Sequence, residues 1–214
     1  HPVSIITGGP GTGKTTVQKV LLYVHEKLGG GSVLLTAPTG RASRRMAEST
    51  GWQEAMTMHS ALGLTSDEDS EEMEGMLEAD FIIADEFTMS DMRLSHIFFD
   101  HIRTGSRLVL VGDVDQLPSV GPGNVFRELV QCGVIPVTVL DTIFRQAEGS
   151  RIIANAKRMQ ENDAALDYGA GFSFIPAKSA EEAADKVQEL YRASVDAFGM
   201  DKVQVLTPYR KTGE

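Results

Sequence analysis

The feature that most constrains this sequence is a glycine-rich segment that ends in lysine and threonine. Gly8–Thr15 reads Gly-Gly-Pro-Gly-Thr-Gly-Lys-Thr and fits the pattern G-x-x-x-x-G-K-[ST]. The apolar stretch Val3–Thr7 precedes it, and a helix is expected to begin near Lys14. Glycines let successive backbone N–H groups turn toward an anion, and the helix N-terminus adds a partial positive charge. The segment therefore predicts a phosphate-binding loop between a buried strand and a helix.

We predict that this loop binds the phosphates of ATP. The Lys14 ammonium would reach the β- and γ-phosphates, and the Thr15 hydroxyl would hold Mg²⁺. The alternative interpretation is an ordinary glycine-rich turn. The predicted ATP-binding residues of the loop and the first turn of the helix are Gly9, Gly11, Thr12, Gly13, Lys14, Thr15 and Thr16.

Two acidic residues, Asp85 and Glu86, follow the apolar stretch Phe81–Ala84. They stand at the carboxyl end of a predicted strand, where ligands gather in parallel α/β sheets. Asp85 is predicted to hold Mg²⁺, and Glu86 to orient or deprotonate the attacking water. Because an Asp-Glu pair after a strand also occurs by chance, this assignment depends on the phosphate-binding loop in the same chain.

Two further residues are suited to the γ-phosphate. Gln116 follows the apolar stretch Leu108–Val111, and its amide can hydrogen-bond a γ-phosphate or the water in line with it, which a carboxylate would repel. Arg145 follows Val137–Leu140 and offers a fixed cation with five donors. The alternative for Arg145 is a surface arginine in a salt bridge.

Short apolar stretches alternate with helix-like segments along the chain. Stretches of this kind predict strands buried on both faces, and their alternation with helices predicts an α/β fold with a parallel sheet flanked by helices. Ser150–Gln160 and Ala180–Phe198 are predicted helices, and we place a domain boundary near residues 147–150. The seven predicted strands are Val3–Thr7, Val33–Ala37, Phe81–Ala84, Leu108–Val111, Val137–Leu140, Phe172–Ile175 and Val203–Thr207.

Negative charge is concentrated in one stretch of the chain. The net charge of the 214 residues is -10, which as an average argues against a polyanionic partner. No Lys or Arg lies between Arg45 and Arg93, and eight acidic residues in that gap account for most of the charge. A nucleic-acid partner is therefore not excluded, and the acidic stretch is interpreted as a solvated loop. The eight acids are Asp67, Glu68, Asp69, Glu71, Glu72, Glu74, Glu78 and Asp80.

Cysteine usage and hydropathy bear on location. The single cysteine, Cys132, can form no internal disulfide and is predicted to be a small buried residue, which fits a reducing cytoplasm. No apolar run is long enough to cross a membrane, and the opening residues do not resemble an export signal. We predict a cytoplasmic protein without membrane contact. Because the sequence starts just before a strand without Met and stops after a polar turn, we expect a piece of a longer protein.

Taken together, the motifs resemble those of superfamily 1 helicases of the 5′-to-3′ branch, and most closely the RecD-type DNA helicases, the exodeoxyribonuclease V alpha-subunit family. The resemblance runs from Val3 to about Gly213 and depends on seven motifs in order. These are Gly-Gly-Pro-Gly-Thr-Gly-Lys-Thr-Thr (Gly8–Thr16), Ala-Pro-Thr-Gly-Arg-Ala (Ala37–Ala42), Thr-Met-His-Ser (Thr57–Ser60), Asp-Glu-Phe-Thr-Met (Asp85–Met89), Gly-Asp-Val-Asp-Gln-Leu-Pro-Ser-Val-Gly-Pro-Gly (Gly112–Gly123), Phe-Arg-Gln (Phe144–Gln146) and Leu-Thr-Pro-Tyr-Arg (Leu206–Arg210).

The resemblance implies a RecA-like P-loop NTPase fold with one complete lobe and an incomplete second lobe. Residues 1–147 would form lobe 1, with a short acidic insertion at 61–80, and residues 148–214 would begin lobe 2. Relatives place a strand-separating pin between the histidine motif and the Asp-Glu motif. Here that stretch is short, acidic and free of aromatic residues, so either the pin is degenerate or residues of this stretch are missing from the sequence.

The resemblance also implies roles for individual residues. Phe144 would lie against the adenine. Thr39, Arg41 and His59 fall in motifs that line the single-strand path and would touch the DNA backbone. The alternatives are a helix N-cap for Thr39, a solvated charge for Arg41 and a core histidine for His59. The ATP-hydrolysis positions would be Lys14, Thr15, Asp85, Glu86, Gln116 and Arg145.

The implied function is an ATP-dependent DNA helicase or translocase motor that uses ATP and Mg²⁺ to move 5′ to 3′ on single-stranded DNA, in repair or recombination. Single-stranded DNA and other subunits of an exonuclease complex are the expected partners. A P-loop phosphotransferase is one alternative, but it would need an Arg-rich lid that the sequence lacks. A DNA-binding scaffold with a decayed motor is another, against which the retained hydrolysis residues argue. The 214 residues alone are expected to hydrolyse ATP slowly, because the family's later arginine would lie beyond Glu214.

Overall fold

A computed structural model describes residues 1–52, 54–64, 75–142 and 150–207. The chain divides into two compact units, His1–Glu148 (unit 1) and Gly149–Glu214 (unit 2). Across these described ranges, no helix is both long and apolar enough to cross a membrane.

Unit 1 is built around one sheet with the strand order β3-β2-β4-β5-β1-β6. Every neighbouring pair of strands is parallel, which confirms the predicted parallel α/β sheet. Strands β1 to β6 are Val3–Gly8, Val33–Ala37, Met56–Thr57, Phe81–Ala84, Arg107–Gly112 and Val137–Leu140. Helices α1 to α5 are Lys14–Lys27, Gly40–Thr50, Met58–Ala61, Met92–Asp100 and Val125–Gln131, and a short 3₁₀ helix spans Phe87–Met89.

The central strands are buried on both faces of the sheet. Ile5 and Leu110 belong to one apolar core, and their chain neighbours Ile6 and Val111 belong to the other. None of these four residues is more than 5% exposed. Successive strand side chains point to opposite faces, and each such side chain stabilises the fold by about 1.5–3 kcal/mol when buried. Helices on both faces therefore hold the sheet, as the uninterrupted apolar stretches predict.

The strand order brings three chain segments together. The path from β1 to β2 passes over β4 and β5, so β4, β5 and β1 are consecutive neighbours in the sheet. Their registers pair Ala84 with Leu110 and Thr7 with Gly112, near the carboxyl end of each strand. The segments that follow these three strands carry the phosphate-binding loop, the Asp-Glu pair and Gln116. They meet at one edge of the sheet, where ligands bind in folds of this type.

Unit 2 contains α6 (Arg151–Gln160), α7 (Ala180–Phe198) and a short 3₁₀ helix at Met200–Lys202. Asn155 is fully buried, and its side chain both donates to the carbonyl and accepts from the N–H of Asp167, each at 2.8 Å. This paired contact fixes the loop between the helices to α6. It also satisfies a polar side chain that would be costly to bury alone.

The predictions of two strands in unit 2 are wrong. Phe172–Ile175 and Val203–Thr207 are not strands, and Phe172 forms only an isolated antiparallel bridge with Gly169. A strand needs a hydrogen-bonded neighbour, and the part of unit 2 that the structure describes offers none. The two predicted helices are confirmed, although no residue of α7 is buried.

The prediction that Cys132 is buried is also wrong, because its side chain is exposed at the end of α5. Cys132 lies six residues after the buried Phe126, which places the two residues on different faces of the helix. Its thiol donates to the Leu129 carbonyl at 3.0 Å. Backbone N–H groups of Val134 and Ile135 lower the pKa of the thiol.

Candidate functional site

The phosphate-binding loop, Gly8–Thr15, connects β1 to α1 in a conformation that requires glycine. Gly11 and Gly13 have φ angles of 81° and 93°, in the left-handed region that glycine adopts without strain. A Cβ atom on Gly8 would lie 2.5 Å from the Leu140 carbonyl oxygen and 2.7 Å from Thr12 Oγ1. Gly13 is also the N-cap of α1, so the free N–H groups at the start of this helix face the loop.

The side chains of Lys14 and Thr12 bond to the loop itself. Lys14 Nζ donates to the carbonyl oxygens of Gly8 at 2.5 Å and Gly9 at 3.0 Å. Thr12 Oγ1 donates to the Gly9 carbonyl at 2.8 Å. The ammonium is thus held at the mouth of the loop by neutral acceptors. A charged acceptor forms stronger bonds, so an entering phosphate would displace these carbonyls.

Asp85 and Glu86 follow β4, and Glu86 has a strained backbone conformation. The Asp85 N–H donates to the Thr36 carbonyl of β2 at 2.8 Å, and the Glu86 N–H donates to Asp85 Oδ1 at 2.9 Å. Glu86 has a φ of 51°, in the left-handed region that residues other than glycine seldom adopt. Strain of this kind persists only where the surroundings hold it, and it is concentrated at functional sites.

Phe87 anchors the acidic pair in the core. Its side chain is fully buried, and its ring lies 5.7 Å from Phe99, 6.1 Å from Phe98 and 6.4 Å from Phe126 between centroids. These separations are typical of favourable aromatic pairs. The residue directly after Glu86 is therefore fixed by packing on three sides, which holds the strained backbone in place.

The environment of Glu86 is suited to proton transfer. Burial raises the pKa of its carboxyl, and the neighbouring charge of Asp85 raises the pKa further. Lys14 and Arg45 act in the opposite direction, while Asp113 adds a smaller rise to the same pKa. A carboxylate with a raised pKa accepts a proton more readily than an ordinary glutamate, as a general base must.

Gln116 lies on the loop that follows β5. Its N–H donates to the Asp113 carbonyl at 3.1 Å, and the carboxylate of the buried Asp113 accepts from the Asp115 N–H at 3.0 Å. The Val114 N–H donates to Thr7 Oγ1 at 3.4 Å, which ties the loop to β1. These bonds fix the base of the loop and leave the Gln116 side chain exposed at the cleft.

One cleft of about 940 Å³ unites most of the predicted site. This volume is within the usual range for small-molecule sites, about 300–1,000 Å³. Residues predicted to act on the nucleotide and two residues predicted to touch DNA line the same cleft. The predicted residues in its lining are Gly9, Gly11, Thr12, Gly13, Lys14, Thr15, Thr16, Asp85, Glu86, Gln116, Thr39 and Arg41.

The remaining predicted residues have other positions. His59 is half-buried in α3 and lies apart from the described lining of the cleft. Phe144 and Arg145 lie outside the described residues. Thr39 is the N-cap of α2, where its Oγ1 accepts from the Ala42 N–H at 3.2 Å. The cap uses an oxygen lone pair, so the hydroxyl proton still serves as a donor.

Helix α2 supplies cleft residues that we did not predict. Ala42, Arg45, Met46 and Ser49 share one face of the helix and line the cleft. Their spacing of three and four residues is that of a single helical face. Arg45 lies one turn after Arg41, so this spacing was the signal that could have identified it. The other unpredicted lining residues are Pro10, Val17, Met89 and Leu140.

Thr15 and Asp85 fit a Mg²⁺ site beside the phosphates. Both line the cleft and both offer oxygen, the ligand atom that Mg²⁺ prefers. One oxygen of Asp85 accepts from the Glu86 N–H, and the carboxylate has a second oxygen for a cation. In the described part of the chain, no group of three or more His, Cys, Asp or Glu residues converges on one point.

Comparisons with known proteins agree with this geometry. Residues 1–180 match a family model described as an AAA domain. The chain is 36% identical over 214 residues to the ATP-dependent RecD2 DNA helicase of Deinococcus radiodurans, covering 99% of this chain and 28% of that protein. It is 35% identical over 189 residues to the RecBCD enzyme subunit RecD of Mycolicibacterium smegmatis, covering 77% of this chain and 34% of that protein.

A solved structure shows the same fold. The Pif1 helicase from Candida albicans matches with a TM-score of 0.55 and 22% identity, covering 89% of this chain and 51% of that chain. The chain spans about a third of the length of the two curated relatives. The family model nevertheless covers most of the chain, and the two curated relatives are both RecD proteins. The chain belongs to the AAA domain family and, within it, to the RecD-type helicases of superfamily 1B.

Proposed function

We propose that this chain is the motor core of an ATP-dependent DNA helicase or translocase, which hydrolyses ATP with Mg²⁺ to move along single-stranded DNA. The observation that carries the proposal is the convergence of the phosphate-binding loop, Asp85, Glu86 and Gln116 on one cleft. The names of the two curated relatives, a DNA helicase and a RecBCD subunit, support DNA as the track.

The loop would bind the triphosphate first. Its backbone N–H groups and the start of α1 attract the phosphates, and Lys14 exchanges the carbonyls of Gly8 and Gly9 for phosphate oxygens. Mg²⁺, held by Thr15 and Asp85, would neutralise charge on the phosphates. The rest of the site acts on the water that attacks the γ-phosphate.

Glu86 and Gln116 would both act on that water. The Glu86 carboxylate accepts a hydrogen bond from the water, orients it in line with the leaving group, and takes its proton. The Gln116 amide donates to a γ-phosphate oxygen or to the same water, since a neutral amide is not repelled by the phosphate charge. Arg145 would add a fixed positive charge as the phosphoryl group transfers, and Phe144 would lie against the adenine.

DNA would pass close to the start of α2. Arg41 is exposed at the cleft. The N-cap bond of Thr39 uses an oxygen lone pair and not the hydroxyl proton. Both side chains can therefore donate to a phosphate oxygen. We include His59 as a third backbone contact, on a separate element. Contacts of this kind are independent of base sequence and weaken as salt concentration rises.

Residues 148–214 are proposed to begin a second RecA-like lobe that completes the motor around bound ATP. Closing and opening of the two lobes would move the strand. The 5′-to-3′ direction, a role in repair or recombination, a cytoplasmic location and partnership with exonuclease subunits stay predictions.

ATP turnover by the complete protein, measured with and without single-stranded DNA, tests the proposal. We expect the DNA to stimulate turnover and the stimulation to decline with salt. A phosphotransferase would instead require a second small-molecule acceptor for turnover. A scaffold with a decayed motor would bind the DNA without turning over ATP.

A further inference from the structure

Glu86 and Gln116 are carried by two different segments that meet away from the cleft. Glu86 is followed by the 3₁₀ helix and then by Asp91, the N-cap of α4. Gln116 belongs to the loop between β5 and α5, here called the Gln116 loop, residues 113–124. If the two side chains act on one water, the distance between these segments must be held constant.

The Gln116 loop packs directly against the start of α4. The Met92 N–H donates to the Pro122 carbonyl at 2.9 Å. Gly121 approaches Asp91 so closely that a Cβ atom on it would overlap Asp91 Oδ2 and lie 2.8 Å from Asp91 Cβ. A Cβ on Gly123, which has a φ of 99°, would lie 3.2 Å from Met92 Cβ. The loop reaches the helix only because no side chain intervenes at Gly121.

Hydrogen bonds restrain both sides of this contact. In the loop, the single hydroxyl proton of Ser119 is shared between the carbonyls of Gly121 at 3.0 Å and Gly123 at 3.2 Å. Pro118 and Pro122 further limit the backbone, since their rings fix φ. The backbone on either side of Gly121 is therefore restrained.

On the helix side, Asp91 is fixed by its capping bonds. Its Oδ1 accepts from the Leu94 N–H at 2.8 Å, and its carbonyl accepts from the Ser95 N–H at 2.9 Å. The Met89 N–H donates to the Glu86 carbonyl at 3.0 Å, which connects the acidic residue to this helix start through one short turn. A shift at Asp91 or Gly121 would thus be transmitted to the cleft.

We propose that Gly121 is a positioning residue, whose lack of a side chain lets the Gln116 loop pack against the start of α4 and so sets the distance between Gln116 and Glu86 across the cleft. The proposal depends on the ATP hydrolysis proposed above. Gly121 itself lies outside the described lining of the cleft, so a substitution there acts on hydrolysis through the Gln116 loop.

Gly121→Ala is expected to push the loop away from α4 and to separate hydrolysis from ATP binding. We expect kcat for ATP to fall by about 10- to 100-fold, because a displacement of about 1 Å has this effect on positioned groups. KM should change by less than about threefold, since the phosphate-binding loop and Lys14 are untouched. Partial unfolding would also lower the apparent kcat without changing KM, so kcat is calculated per folded molecule, with the folded fraction taken from thermal unfolding of the variant.

Rescue by a second substitution tests the contact itself. Asp91→Gly removes the atoms that the new Cβ would meet, and glycine is well tolerated at an N-cap. This variant keeps the bond from the Met92 N–H to the Pro122 carbonyl, which still holds the loop against α4, so its kcat should stay within about threefold of the wild type. The double variant Gly121→Ala/Asp91→Gly should recover most of the lost kcat, which is the non-additivity expected of residues in contact.

Steady-state turnover of the wild type, the two single variants and the double variant, in the complete protein with single-stranded DNA, distinguishes the outcomes. An inactive wild type would overturn the proposed function rather than the role of Gly121. An active wild type with an equally active Gly121→Ala variant would overturn the role of Gly121. So would a double variant that stays as slow as Gly121→Ala while Asp91→Gly is normal. Should Gly121→Ala fail to unfold cooperatively, a folded and active double variant is still expected, and its absence would contradict the proposal.

Discussion

The backbone N–H of Glu86 donates to the carboxylate of Asp85 at 2.9 Å. This bond fixes the Asp85 carboxylate beside Glu86. Burial and the Asp85 charge raise the pKa of Glu86. A carboxylate with a raised pKa is suited to accept a proton.

Glu86→Gln is expected to lower ATP turnover by about 10²- to 10⁴-fold, the usual contribution of a general base, while ATP binding is retained. Folding raises the pKa of Glu86. The free energy of unfolding therefore decreases as the pH rises from the pKa of this group in the unfolded chain to its higher pKa in the folded protein. At neutral pH the ionised Glu86 therefore destabilises the fold, and the neutral glutamine should leave the melting temperature unchanged or higher.

Thermal unfolding and turnover of Glu86→Gln are best compared with those of Glu48→Gln, a change at an exposed residue of α2. The control should match the wild type in both measurements. A Glu86→Gln variant that melts well below the control would contradict the assigned environment of Glu86.

The pH dependence of turnover should report on Glu86 and on Arg45. Turnover requires the ionised form of Glu86, so it should rise with pH through a pKa above that of an ordinary glutamate. Arg45 lowers this pKa, and Arg45→Ala should therefore shift the rising limb to higher pH. Arg44→Ala is the matched control, because Arg44 Nε donates to the Gly40 carbonyl at 3.1 Å on the same helix. Equal shifts in both variants would contradict the assignment.

Asp85→Asn should raise the Mg²⁺ concentration needed for half-maximal turnover by about tenfold or more, since a neutral amide is a poorer ligand for a hard cation. Titration with Mg²⁺ at saturating ATP checks this result. Asp100→Asn, an exposed change at the end of α4, should leave the Mg²⁺ requirement unchanged. An unaltered requirement in Asp85→Asn would remove Asp85 from the metal site.

Thr39→Ala should have two separable effects. Loss of the N-cap bond to Ala42 should lower the free energy of unfolding by about 1 kcal/mol. Loss of the hydroxyl should also weaken binding to single-stranded DNA. Thr39→Gly should keep most of the stability, because glycine is well tolerated at an N-cap, and it has no side-chain donor for the DNA. Full DNA affinity in the stable Thr39→Gly variant would assign Thr39 to capping alone.

The nucleotide cleft could be predicted from sequence because its parts are local motifs at strand ends. A buried apolar strand followed by Gly8–Thr15, by Asp85 or by Gln116 is visible in the sequence, and parallel topology brings strand ends to one edge. Arg45 was missed because an exposed arginine carries no signal of its own. Its place in the site follows only from the face of α2 on which it lies.

The strands of unit 2 could not be predicted in the same way. Phe172–Ile175 and Val203–Thr207 have the composition of strands, but composition does not reveal whether a neighbouring strand exists. The prediction that Cys132 is buried was wrong for a related reason, since burial depends on which helical face a residue occupies. Strand pairing and the burial of a helical face are properties of the assembled fold rather than of a single stretch of sequence.

The most direct test of the motor assignment is ATP turnover by the complete protein with and without single-stranded DNA, in the wild type, in Lys14→Ala and in Lys19→Ala. Lys19 is an exposed residue of the same helix and serves as the control. We predict DNA-stimulated turnover in the wild type and in Lys19→Ala. In Lys14→Ala we predict no turnover but cooperative thermal unfolding like that of the wild type. Turnover that DNA does not stimulate in the wild type, or that persists in Lys14→Ala, would contradict the assignment.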